Sequence, residues 1–159
     1  LGLPTLAVPS RDAPHRGAHE ERVLGHLRAA RVDWVCLAGY MRLLSPAFVA
    51  SYPQRILNIH PSLLPAFPGL DAQRQAIEHG VAITGCTVHF VDGGLDTGPI
   101  ILQKAVLVRP DDTPDSLAAR LLVEEHRAYP EALQRLLTEP WRIEGRRLRF
   151  LPLAQSPRA

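Results

Sequence analysis

Apolar and polar positions along this chain switch between a period of two and a period of about 3.6, and the switches divide it into strands and helices. Residues 3–8 form a short apolar run of strand length, followed by a polar loop over residues 10–17. Across residues 18–30, Val23, Leu24 and Leu27 recur at helical spacing, which predicts a helix. Residues 32–38 are almost wholly apolar, the pattern of a strand covered on both faces. Residues 39–42 leave that strand. Ser45 and Pro46 then open a short helix through Ala50, the serine as cap and the proline in the first turn. Residues 56–60 read as a second buried strand, and residues 71–79 as a helix stopped by Gly80. Two longer strands follow at 84–91 and 99–108. Thr113 and Pro114 cap a long helix reaching about Leu137, with a disturbance expected at Pro130. Residues 141–150 form a small hairpin turning at Glu144 and Gly145. Strands that alternate with helices predict an α/β fold, a mostly parallel sheet with helices on both faces. In such sheets ligands sit beyond the carboxyl ends of the strands.

Strand alternation then selects the candidate chemical groups. Asn58 and His60 share one side of residues 56–60, with Leu57 and Ile59 opposite. Along residues 84–91, Thr87 and His89 share a face, and Cys86, Val88 and Phe90 share the other. The loop over residues 92–99 contains Gly93, Gly94 and Gly98, which let its backbone approach a ligand closely, and it returns Asp96 towards the strand ends. Each group alone has a plain structural explanation: a packed or surface histidine, an asparagine satisfying turn backbone, an aspartate in a turn. Three of them around one sheet edge point to chemistry, because unpaired polar groups there would be costly. An amide, an imidazole and a carboxylate together suit acyl-group transfer. A zinc site built from His60, His89 and Asp96 is the alternative, with the familiar short-range ligand spacings absent.

The long helix adds one more group. Leu117, Leu121, Glu125, Ala128 and Ala132 trace a single face, and a carboxylate within an apolar stripe needs a partner. Arg120 and Arg127 are the candidates on the same helix.

Bulk properties narrow the classes. A length of 159 residues suits one domain with a core of its own. A hydrophobic share of 46% with 21% charged residues reads as globular rather than disordered. The formal charge of +2 is too small to imply nucleic acid, and Arg142, Arg146, Arg147 and Arg149 read as a solvated hairpin. No run approaches the roughly 18 apolar residues of a membrane span, and no signal peptide is recognisable, so a cytoplasmic location is expected. Cys36 and Cys86 both lie in apolar runs and are expected to be buried free thiols.

The stretch Asn58-Ile59-His60-Pro61-Ser62-Leu63-Leu64-Pro65-Ala66-Phe67-Pro68-Gly69-Leu70 is distinctive, as are Arg74-Gln75-Ala76, residues 88–91, residues 95–103 and residues 38–46. Together they closely resemble the glycinamide ribonucleotide formyltransferase family, from about residue 1 to the hairpin near residue 150. Methionyl-tRNA formyltransferases and formyltetrahydrofolate deformylases share the Asn-x-His and Asp parts. Phe67-Pro68-Gly69-Leu70 and Arg74-Gln75-Ala76 favour the glycinamide family over both.

The resemblance implies a Rossmann-like formyltransferase sheet. Its activity would be transfer of a formyl group from 10-formyltetrahydrofolate to the amino group of glycinamide ribonucleotide, a step of de novo purine synthesis. Asn58, His60 and Asp96 are the implied catalytic residues. Asn58 would donate to the developing oxyanion, protonated His60 would stabilise it or move protons, and Asp96 would pair with His60 or hold a relaying water. Met41, Arg42, Leu43, Leu44, Val91 and Leu95 are the implied folate contacts, with Glu125 and Pro61 facing the ribonucleotide. No metal and no covalent enzyme intermediate are implied. The partners are small molecules rather than nucleic acid or membrane, with a homodimer left open. Two departures stand out. The chain begins at Leu1, beyond the family's first strand and Gly-Ser-Asn phosphate loop, and so reads as an N-terminally truncated single catalytic domain over residues 1–159 with a bare sheet edge. Asp71 stands where the family often has histidine. A deformylase passing the formyl group to water, or an inactive folate-binding module, is the alternative.

Overall fold

A computed structural model describes residues 2–152. Its regular elements are α1 (Arg16–Ala29), β1 (Val35–Leu37), α2 (Pro46–Ser51), β2 (Ile56–His60), α3 (Ala72–Glu78), β3 (Ile83–Phe90), β4 (Ile100–Leu107), α4 (Pro114–Thr138), β5 (Trp141–Glu144) and β6 (Arg147–Phe150). Capping chemistry sets several boundaries. The Ser45 hydroxyl accepts the Phe48 N–H at 3.2 Å, with Pro46 at the first helical position of α2. At α4, Thr113 and Ser116 each accept the other's backbone N–H, closing a capping box ahead of Pro114.

The six strands form one sheet in the order β1-β2-β3-β4-β6-β5. The α/β class holds, but the sheet is mixed rather than mostly parallel. The β1–β2 and β4–β6 pairs are parallel, whereas β2–β3, β3–β4 and β5–β6 are antiparallel. Alternation of strands and helices predicts parallel crossovers only when each helix covers the sheet. Here α3 packs against α4 through Ala76, Leu117 and Leu121 instead, and the chain re-enters the sheet in the reverse direction.

Helices cover both faces of the sheet. Leu57, Cys86, Val88, Phe90 and Ile101 pack against Ala128, Ala132 and Leu136 of α4. On the opposite face Ile56 packs with Leu24 of α1, Leu44, and Phe48 and Tyr52 in and beside α2. Adjacent residues Ile56 and Leu57 therefore enter different cores, as strand geometry requires. The Tyr129 hydroxyl sits 2.8 Å from the Leu37 carbonyl and 3.0 Å from the Leu57 carbonyl, so its one hydrogen is shared between β1 and β2.

Three expectations are corrected. Residues 3–8 form no strand: Leu3 is 70% and Leu6 64% exposed, and no neighbouring strand receives their backbone hydrogen bonds. An apolar run becomes a strand only where a ladder partner exists. Helix α4 stays helical through Pro130. The missing N–H and ring clash cost about 3 kcal/mol, and Leu121, Ala128, Ala132 and Leu136 buried along the same helix offset that cost. Cys36 is exposed on β1, an edge strand among the described residues whose apolar run is not covered on both sides, whereas Cys86 is buried as expected. Burial pushes the Cys86 thiol up to about 11, which makes it a poor nucleophile. Of the hairpin arginines, Arg142 and Arg149 pair with Glu144, and Arg146 reaches the Thr97 carbonyl at 2.8 Å. Among the described residues no helix is long and apolar enough to cross a membrane.

Candidate active site

Strand β2 ends at His60, and its antiparallel neighbour β3 runs back beside it with Asn58 opposite His89 and His60 opposite Thr87. Four polar side chains thus share one face near the sheet's end. The connection over residues 91–99 brings Asp96 over them.

The hydrogen-bond polarity of this cluster is readable atom by atom. His60 Nε2 lies 2.8 Å from the Phe67 carbonyl, which can only accept, so Nε2 carries a proton. Its Nδ1 faces Asp96 Oδ2 at 3.4 Å and bears a proton only in the imidazolium form, the form a carboxylate pairs with. Asp96 Oδ2 also accepts the Gly69 N–H at 2.8 Å. Asp96 Oδ1 lies 3.7 Å from His89 Nε2. His89 Nδ1 in turn lies 2.9 Å from the Phe90 carbonyl, and His89 Nε2 lies 3.3 Å from Asn58 Nδ2. His60 and His89 are both buried.

Local backbone holds these groups in place. Phe67, Asp71 and Asp96 have φ of +52°, +56° and +53°. Aspartate tolerates this left-handed region, but a bulky residue such as Phe67 is an outlier there. The Phe67 carbonyl is the one His60 uses, so the strained turn and the imidazole fix each other. Asp92 Oδ1 braces the loop by accepting the Gly94 N–H at 2.9 Å and the Thr97 hydroxyl at 2.6 Å. A side chain at Gly98 would collide with the Phe90 carbonyl, so only glycine lets the loop pass the end of β3. Thr87 anchors the other wall: its hydroxyl donates to the Ser62 carbonyl at 2.6 Å and accepts the Leu64 N–H at 3.0 Å.

Beside the cluster lies a cleft of about 300 Å³. Met41, Arg42, Leu43, Leu44, Val91 and Leu95 all line it, together with Asn58, His60 and Asp96. Met41 is 75%, Leu70 67%, Leu43 52% and Leu95 50% exposed around its mouth. A row of exposed apolar side chains beside convergent polar groups suits a flat heteroaromatic ligand that would cover them. Among the described residues no group of three or more histidine, cysteine, aspartate or glutamate side chains is arranged to hold a metal ion.

Two residues expected at the site lie outside the cleft lining. Pro61 directly follows His60 and is half-buried. Glu125 is half-buried on α4, and among the described residues its carboxylate has neither hydrogen bond nor ion pair. Arg120 and Arg127, its candidate partners, are engaged elsewhere, Arg120 with Asp112 and Arg127 with Glu124 at 2.7 Å. Burial pushes the Glu125 carboxyl up, against the pull of His126 and His60. The cleft also contains Asp92, and Tyr40, Gly69, Leu70 and Thr97, which lie in the stretches that carry the family resemblance but were not expected individually as ligand contacts. His89 is different: alternation puts it on the face shared with Thr87, but its partnership with Asn58 depends on the antiparallel register.

A mixed sheet carrying an amide, an imidazole and a carboxylate beside an apolar cleft defines an α/β enzyme domain suited to acyl-group chemistry. The formyl transferase family matches residues 2–133, and the chain belongs to that family. It is 51% identical over 136 residues to the trifunctional purine biosynthetic protein adenosine-3 of Drosophila melanogaster, covering 86% of this chain and 10% of that protein. It is 44% identical over 135 residues to the phosphoribosylglycinamide formyltransferase of Bacillus subtilis strain 168, covering 85% of this chain and 69% of that one. Among solved structures, glycinamide ribonucleotide transformylase 1 from Symbiobacterium toebii superposes with a TM-score of 0.87 at 56% identity, over 90% of this chain and 68% of that one. The chain thus spans about a tenth of the trifunctional relative and about two thirds of the single-function ones.

Proposed function

We propose that this chain forms a single catalytic domain that transfers a formyl group from 10-formyltetrahydrofolate to the amino group of glycinamide ribonucleotide, in the cytoplasm. The observation that carries this reading is the convergence of Asn58, His60 and Asp96 beside the apolar cleft. The amine attacks the formyl carbon, and negative charge grows on the carbonyl oxygen. One N–H of the Asn58 amide is taken by His89, which leaves the other to donate to that oxygen. His60, held between Phe67 and Asp96, brings positive charge to the same place as an imidazolium. Asp96 takes the proton lost by the amine through a water, and the proton returns to the departing tetrahydrofolate nitrogen. Met41, Arg42, Leu43, Leu44, Val91 and Leu95 receive the pterin ring, with the apolar members excluding water from it. Pro61, which directly follows His60, is proposed to face the ribonucleotide.

Glu125 is the proposed ribonucleotide contact. A carboxylate partly withdrawn from water with no partner in the protein is suited to one supplied by a ligand amine or hydroxyl. Glu125→Gln is expected to raise KM for the ribonucleotide by about 10–100-fold, the worth of a hydrogen bond to a charged group, with KM for the folate unchanged. The same substitution is expected to stabilise the fold. The folded-state pKa of Glu125 lies above its ordinary value of 4.5. The neutral carboxyl is therefore the better tolerated form, and its contribution is complete below 4.5 and lost as pH rises through the raised folded value. Melting temperatures at pH 4 and pH 8 check the sign: the variant should gain on the wild type only at the higher pH.

The deciding experiment is turnover of 10-formyltetrahydrofolate with and without glycinamide ribonucleotide. Turnover that depends on the ribonucleotide supports the transferase. Turnover indifferent to it indicates hydrolysis, and absence of turnover in both sinks the proposed activity for this chain.

A further inference from the structure

We propose that His89 is a positioning residue that holds the Asn58 amide with its nitrogen towards β3 and its second N–H aimed into the cleft. This inference deepens the proposed formyl transfer and rests on it.

The argument begins with burial. His89 is 2% exposed in the middle of the sheet, where a ring nitrogen without a partner would be costly. Both nitrogens are partnered, and the partners dictate the proton positions. The Phe90 carbonyl can only accept, so Nδ1 bears the proton at 2.9 Å from it. Nε2 then presents a lone pair, and the group facing it at 3.3 Å is Asn58 Nδ2, which can only donate. The order of donation therefore runs from Asn58 through His89 to the Phe90 backbone. An amide is close to symmetric in shape, and without such a partner Asn58 could rotate by half a turn. It would then present its carbonyl, an acceptor, to an oxygen that is becoming negative.

The relay works only while His89 is neutral, and its surroundings support that form. Burial pushes its pKa below the ordinary histidine value, reinforced by His60 on β2 and opposed by the Phe90 carbonyl, by Asp96 and by Asp92. A protonated His89 would turn Nε2–H towards Asp96 Oδ1, 3.7 Å away, and release Asn58. His60 and His89 thus divide the work between them. His60 faces Asp96 through Nδ1, while His89 is suited to the neutral form.

Two substitutions separate positioning from simple support of the sheet. His89→Asn places its amide near Nδ1, keeping the bond to Phe90 and losing the one to Asn58. His89→Gln places its amide near Nε2 and keeps an acceptor for Asn58. We expect His89→Asn to lower kcat by at least about 10-fold, approaching the 10²–10³-fold cost of losing an oxyanion donor. KM for folate and ribonucleotide should stay within about twofold, and His89→Gln within about fivefold of wild-type kcat, the worth of one neutral hydrogen bond. The reverse order of the two variants would overturn the proposal, as would a kcat loss that tracks a fall in melting temperature. Long-range proton–nitrogen spectra of the imidazoles supply a readout independent of turnover. The wild type should show His89 protonated on Nδ1 alone at neutral pH, with the Asn58 side-chain amide signals shifted in His89→Asn and retained in His89→Gln. An Nε2-protonated His89, or Asn58 signals indifferent to both substitutions, refutes the relay. A wild-type chain with the expected spectra but no ribonucleotide-dependent turnover would refute the proposed reaction and leave the relay standing.

Discussion

Replacing Asn58 with alanine is expected to lower kcat for formyl transfer by about 10²–10³-fold, the measured worth of one well-placed oxyanion donor. The size follows from where the residue stands. Asn58 is half-buried on β2 and lines the cleft, with its Nδ2 3.3 Å from His89 Nε2. In that partly water-excluded corner a donor aimed at developing charge acts against a low local dielectric and needs no reorganisation when the charge appears. Alanine removes the donor and leaves the buried His89 Nε2 without its partner. In the proposed reaction the amide would meet the formyl oxygen most strongly when that oxygen is negative, so KM for both substrates should change little while kcat falls. Steady-state kinetics with each substrate varied in turn checks this. A residual kcat within fivefold of wild type would mean that Asn58 does not touch the reacting carbonyl.

The largest effect on stability is expected from Phe90→Ala. Truncating a buried phenylalanine costs about 3–5 kcal/mol, a large part of the roughly 5–15 kcal/mol that holds an ordinary domain together. Phe90 is 2% exposed and packs with Leu57, Val88, Ala128 and Ala132 where α4 crosses the sheet. Its ring centroid is 5.5 Å from that of Trp141, which ties the C-terminal hairpin to the same core. Alanine would therefore open a cavity at the junction of three elements, none of which can collapse without moving the others. The backbone of Phe90 also serves the site, donating to the Pro99 carbonyl at 2.9 Å and accepting from His89. Denaturant unfolding should show the midpoint falling with the slope unchanged, and kcat should fall further than the folded fraction accounts for. A loss below about 1 kcal/mol would show that the neighbourhood repacks, contrary to the close packing around it.

The extent of the site legible in the sequence differs residue by residue. Asn58 and His60 are two apart on a strand, so their shared side follows from the period of two alone. The caps at Ser45 and Thr113 were equally local, since hydroxyl, proline and first-turn N–H all lie within four residues. Met41 to Leu44 and Leu95 entered through family likeness, and the cleft does contain them. By contrast, residues 3–8 and the covered second face of β1 failed because an apolar run carries no information about who its neighbours are. Pro130 failed for the converse reason, its local penalty being outweighed by burial that only the assembled helix and sheet supply.

By itself, then, the sequence determined the α/β class, the position of most strands and helices, and the identity of the groups at the end of β2, all from spacings of a few residues. The tertiary structure alone decided the directions of β3 and β4, and with them the facing of Asn58 and His89, the reach of Asp96 over His60, and the isolation of Glu125 from Arg120 and Arg127. The facing pairs Asn58 and His89, and His60 and Asp96, join residues tens of positions apart. They depend on which strands exchange backbone hydrogen bonds and in what register, a choice made by the packing of the whole sheet against its helices and by no local preference of the chain.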